Sequence, residues 1–201
     1  MYIYAERDER WDMRWQQLFA DLQAQFDAAE EAEAQAEWAS RARAEMGAVR
    51  FADRLGGSTG ERVTVTCRGA GPVTGVLVDL GVDWLLLGDE RGRDQLVALA
   101  AVRSAAGLGR WTAPVQEEGP VRARLDLRRA LRGLARDRSP VQVVLDDGSV
   151  LTGTIDRVGA DYLEVAEHPA DEPRRSGAVR QVSAVVIGAV AVVRTLLPGW
   201  D

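Results

Sequence analysis

The residues able to do chemistry are few and scattered. His168 is the only histidine and Cys67 the only cysteine. A nucleophilic Cys–His pair needs both side chains within hydrogen-bond reach and a third group to orient the base. Their surroundings do not suggest such a pair. Cys67 ends the alternating run Val63-x-Val65-x-Cys67 on its inward side, where a thiol packs as a small hydrophobe. His168 lies in the polar loop EHPADEPRRSG. One histidine builds no multi-histidine metal site. Asp146-Asp147 is a carboxylate pair, but it runs into Gly148, and Asp-Asp-Gly reads as a hairpin turn. Asp83 and Asp161 each precede an aromatic, Trp84 and Tyr162. They serve either a shared ligand groove or the turn that follows a glycine. A phosphate-cradling loop with lysine is excluded, because the chain has no lysine. These residues point away from an enzyme, and no cofactor or metal is expected.

Charge singles out one contact surface. All 25 basic residues are arginine, asparagine is absent and isoleucine occurs three times, as in a GC-rich genome. Net charge is −6, yet residues 121–138 hold seven arginines against two acids. A helix over residues 127–136, capped by Asp126, would bury Leu127, Ala130, Leu131 and Leu134. Arg128, Arg129, Arg132 and Arg136 then occupy its other faces, with Arg122, Arg124 and Arg138 nearby. Such a block either neutralises the phosphates of RNA or DNA, with salt-dependent affinity, or pairs with the chain's own surplus acids.

Trp11, Trp15, Leu18, Leu22 and Phe26 recur at spacings of three and four, which predicts a helix through residue 45. At 1.5 Å per residue it would run about 50 Å. Its apolar face serves either a helical dimer or partner contact, or packing on the rest of the chain. A short helix is expected at VRFADRL, and strands follow. Val121, Ala123 and Leu125 alternate as a short strand after the linker at 113–120. The apolar run VVIGAVAVV, residues 185–193, reads as the last strand and as an edge for pairing between domains or chains.

The strands come twice. Residues 63–87 align with 141–165, sharing seven identities: Val63/Val141, Val65/Val143, Thr74/Thr152, Gly75/Gly153, Gly81/Gly159, Asp83/Asp161 and Leu85/Leu163. Mid-strand Gly75 and Gly153 permit sharp curvature or close backbone approach. This is a duplication. The pattern Val141-x-Val143, Gly148, Leu151-x-Gly153-x-Ile155, Val158, Leu163, Val165 resembles the Sm-like family within the SH3-like small barrels, and Val63-x-Val65, Val73-x-Gly75-x-Leu77, Leu80, Leu85, Leu87 repeats it.

The resemblance implies a mainly β protein with an N-terminal α-helix and two tandem five-stranded Sm-like/SH3-like barrels, each preceded by a short helix. The expected domains are the helix at 1–45, a first barrel at 46–112, the linker at 113–120 and a second barrel with its helix at 121–201. It implies a non-catalytic binding or adaptor protein that docks a protein partner or self-associates, through the helix or through barrel edges as Sm-like rings do. An RNA- or DNA-binding regulator using the arginines of 121–138 is the alternative. The family's uridine-binding asparagine has no counterpart in GVDWLLL or GADYLEV, and VVIGAVAVV has no arginine. The RNA pocket is therefore not carried over. A charged N-terminus unlike a secretory signal, one cysteine and no apolar run long enough for a bilayer lead to a cytoplasmic expectation.

Overall fold

The computed structural model describes residues 5–113, 125–170, 175 and 177–196. The chain forms two compact units, Met1–Val49 and Arg50–Asp201. The first contains helix α1, Ala5–Ala48, which runs three residues past the boundary expected at 45. Alanine, glutamate, glutamine and arginine favour helix without burial, and Glu37 and Arg41 pair across one turn at 2.6 Å. Trp15, Leu18, Leu22 and Phe26 are all exposed on it. The side chain of Trp11 lies outside the described residues.

The second unit is mainly β. Helix α2 (Phe51–Gly56) leads into β1 (Arg62–Cys67), β2 (Gly71–Leu80), β3 (Trp84–Gly88), β4 (Asp94–Ala98) and β5 (Val102–Ala106). Helix α3 (Leu127–Asp137) leads into β6 (Pro140–Leu145), β7 (Val150–Val158), β8 (Tyr162–Glu167), β9 (Gln181–Val186) and β10 (Val190–Thr195). Asp126 caps α3, its carboxylate accepting from the N–H of Arg129 at 2.8 Å. The ten strands form one open antiparallel sheet, ordered β5-β1-β2-β3-β4-β10-β6-β7-β8-β9. Each repeat contributes five consecutive places in the same relative order.

The two halves of the sheet also share irregularities. The β2–β3 register shifts between Leu77 and Asp79, and the β7–β8 register shifts between Ile155 and Arg157, its counterparts 78 residues on. A Cβ on Gly75 would strike the carbonyl of Gly88, and one on Gly153 the carbonyl of Ala166. A side chain would wedge those strands apart, so glycine recurs for close approach. Alternating residues build one core: Val63, Val65, Leu77, Leu85 and Leu87 from one repeat, Val141, Val143, Ile155, Leu163 and Val165 from the other. Full burial of each such side chain contributes about 1.5–3 kcal/mol.

Two expectations are corrected. VVIGAVAVV is not one strand, because a 3₁₀ turn at Ile187–Ala189 separates β9 from β10. The turn is required because β9 lies at one end of the sheet and β10 between β4 and β6. For the same reason the run's second half is no outer edge. Leu125 belongs to no strand; its carbonyl is engaged by Trp84. Val121 and Ala123 lie outside the described residues, as does 114–120 of the linker.

Candidate assembly surface

The repeats meet at β4 and β10. Val97, Leu96 and Gln95 pair with Val192, Val193 and Arg194. At this joint Leu96 and Ala98 are 5% and 4% exposed, and Ala191, Val192 and Val193 are buried. Side chains add to the strand pairing. The Asp83 carboxylate accepts the N–H of Leu127, the first residue of α3, at 2.7 Å. The Trp84 indole N–H donates to the carbonyl of Leu125 at 2.8 Å. Asp83 and Trp84 of the first repeat therefore hold the segment that enters the second. Arg68 and Asp146, on corresponding turns, pair at 2.7 Å.

The second repeat carries the same features, and among the described residues no side chain bonds to them. Counterparts of β3 residues lie 78 positions on, and those of β4 and β5 lie 88 on, because the β8–β9 loop is longer than the β3–β4 loop. Asp161 and Tyr162 stand where Asp83 and Trp84 stand. A Cβ on Gly159 would meet the Tyr162 ring as one on Gly81 would meet Trp84. Tyr162 is 39% exposed, and its hydroxyl and the Asp161 carboxylate have no side-chain partner among the described residues. Leu96 and Ala98 correspond to Ala184 and Val186, which are exposed, Val186 by 61%. An open groove of about 430 Å³ runs beside β9, lined by Leu145, Leu151, Ser183, Val185 and Ala189.

The residues singled out for chemistry have structural partners. His168 is 3% exposed and Thr154 1%. The carbonyl of Pro169, 2.8 Å from Nδ1, can only accept, so Nδ1 carries the proton and Nε2 accepts from the Thr154 hydroxyl at 2.8 Å. Both ring nitrogens are thus satisfied. Cys67 is buried, and burial pushes its thiol up to about 11, against the lowering influence of the Arg194 charge. The Asp147 carboxylate accepts from the Ser149 hydroxyl at 2.6 Å and N–H at 2.8 Å, which lowers its pKa and closes the hairpin turn. Asp146 pairs with Arg68 instead, so the two carboxylates are not one acid–base site.

The arginines divide. Arg128 lies 3.5 Å from Asp126, Arg136 3.5 Å from Asp137, and Arg138 2.9 Å from Asp156. Arg129 and Arg132 are exposed and have no acidic partner among the described residues. Arg122 and Arg124 lie outside them. A second cavity, about 350 Å³, sits between α2 and the β2–β3 turn, lined by Asp53, Leu80, Trp84, Ala113 and Leu125.

The role of Asp83 and Trp84 was the feature sequence reasoning missed. The signal was their recurrence in both repeats, but their partners lie about 40 residues downstream. Among the described residues no helix is long and apolar enough to cross a membrane, and no cluster of potential metal ligands forms. Comparison with protein-family models, with curated proteins and with solved structures returned no match.

Proposed function

We propose that this chain is a non-catalytic binding protein in which two Sm-like barrels, 46–112 and 121–201, are fused strand to strand. It works by docking protein at its outer strands, either a partner's extended segment or another copy. One observation carries this reading: the sheet order leaves β5 and β9 as edges, although the identical β4 and β10 positions are paired. Unpaired edges with exposed apolar side chains, here Val182 and Val186, are templates for strand addition. The helix–β1–β5 order, the bulges and the 3₁₀ turn before the last strand, all repeated, support the two-barrel description.

Nucleic-acid binding is the second reading, favoured by the exposed Arg129 and Arg132 on α3, which have no acidic partner among the described residues. Light scattering on nuclease-treated protein, with a gel-shift assay on mixed RNA and DNA at low salt, tests both. The expected result is association of protein alone and no shift. A strict monomer that shifts nucleic acid, with the shift abolished by salt, would overturn the first reading in favour of the second.

A further inference from the structure

We infer that helix α1 pairs with α1 of a second copy of this chain, antiparallel and centred on residue 27, as a two-stranded coiled coil. This contact lies on the first unit and does not depend on the outer-strand docking proposed above.

The seam of the helix specifies its occupant. Trp15, Leu22, Ala29 and Ala36 recur every seven residues, and Leu18, Gln25, Ala32 and Ala39 recur every seven between them, which is coiled-coil spacing. Bulk lies at one end of this seam and alanine at the other. In a parallel pair each layer would hold one residue type twice, Trp15 against Trp15 and Ala36 against Ala36. Such a core is crowded at one end and hollow at the other, and it packs poorly. Reversing one helix about residue 27 evens the layers. Trp15 then meets Ala39 of the other copy, Leu18 meets Ala36, Leu22 meets Ala32 and Gln25 meets Ala29, and the two-fold axis repeats each pairing. Phe26 meets its own counterpart beside the axis. Phe19, its ring 6.2 Å from that of Trp15, covers the same flank.

Charge favours the same orientation. Residues 27–37 hold five acids and no base. A parallel pair would set that run beside its own copy, like charge against like. Reversal sets it beside residues 17–27, whose acids are Asp21 and Asp27 alone. The surface is also large enough. Trp15, Phe19 and Phe26 are 50%, 62% and 70% exposed, which leaves roughly 300–450 Å² of aromatic surface per copy in water. A stable complex buries about 800 Å² per partner, and the exposed Leu18 and Leu22 add to the aromatic share. Trp38 is exposed too, but it lies two positions past Ala36 and off the seam. The contact joins like surfaces, so it closes at two copies.

Spin-label distances test the orientation, and matched substitutions test the seam. In a Cys67→Ala background, Ala42→Cys carries the label. Position 42 lies level with position 14 of the other copy, so two such labels should sit about 42 Å apart, 28 residues at 1.5 Å each. A parallel pair would bring them within about 20 Å and overturn the inference. Leu18→Glu with Leu22→Glu should erase this distance and weaken dimerisation by about a hundredfold or more, while the second unit keeps its urea midpoint. Trp38→Glu should change dimerisation by no more than about twofold, because the residue is off the seam; a loss equal to that of the leucine variant would overturn the inference. The distance should persist in Ala184→Pro, which separates helix pairing from docking at β9. Its absence there, or its absence from the labelled chain at every concentration, would also overturn it.

Discussion

Two corresponding strands of the second unit, β4 at the centre of the sheet and β9 at its end, make an internal experiment. At the β4–β10 joint, Asp83 and Trp84 hold a neighbouring segment and Leu96 and Ala98 are buried. At β9, Asp161, Tyr162, Ala184 and Val186 occupy the corresponding places and face solvent. The backbone device is the same; what differs is whether a repeat follows. A residue pair that looks like turn chemistry in one copy proves in the other to be an intersegment contact.

Matched substitutions break the comparison most severely in the core of the joint. Leu96→Asp places an unpaired charge among buried strands and should cost about 3–5 kcal/mol. Its counterpart Ala184→Asp should stay within about 0.5 kcal/mol in the single chain, because the site is exposed. Urea unfolding of the two variants below the association threshold measures both, and equal losses would mean that the joint and the outer strand do not differ in burial.

Next in size is the clasp. Asp83→Ala leaves the N–H of Leu127 without its partner and should cost about 1–3 kcal/mol. Asp161→Ala should leave the stability of the isolated chain unchanged within about 0.5 kcal/mol. Hydrogen exchange at the start of α3 reads the difference directly: protection should fall only in the first variant.

How far this was legible depends on the range over which each feature acts. The strands of both repeats followed from alternation punctuated by glycine, as at Val63-x-Val65 and Gly75, since those signals lie within a few residues. The α3 cap followed from Asp126 for the same reason. VVIGAVAVV misled because an unbroken apolar run disguises a 3₁₀ turn whose only cue, Gly188, is compatible with a strand. The β4–β10 pairing was hidden, because its partners are separated by about 95 residues and any apolar strand satisfies the same pattern. His168 sits in a polar loop by sequence, and it lies just past the end of β8, yet it is buried against Thr154 of β7, a contact that composition does not encode.

Cys67 supplies a smaller contrast. Its counterpart is Leu145, which has no proton to exchange. The Cys67 thiol is raised from 9.0 to about 11, so the folded chain holds this proton more tightly than the unfolded chain does. The stability it contributes is therefore complete below pH 9 and is lost as pH climbs through about 11. Comparing urea midpoints of wild type and Cys67→Ala across that window should show a steeper alkaline decline for wild type. Parallel curves would contradict the assignment.

The smallest effect is expected at the arginines. Arg129→Ala with Arg132→Ala should change stability by no more than about 0.5 kcal/mol, since neither guanidinium has an acidic partner among the described residues. Self-association should be unaffected. A loss of association on this double substitution would move the docking surface from β9 to α3.

The central claim is that the outer strand β9 docks protein. Its most direct test is molar mass against concentration, after nuclease treatment, for Leu18→Glu with Leu22→Glu, which removes helix pairing, and for the same chain with Ala184→Pro added. Ile187 donates its N–H to the carbonyl of Asp161, so antiparallel alternation turns the 184 N–H outward, and proline there removes it while sparing the inward ladder to β8. The account predicts that the parent rises above the 21.9 kDa of one chain as concentration increases, and that the Ala184→Pro chain remains folded at that mass. Identical curves for the two proteins would contradict it.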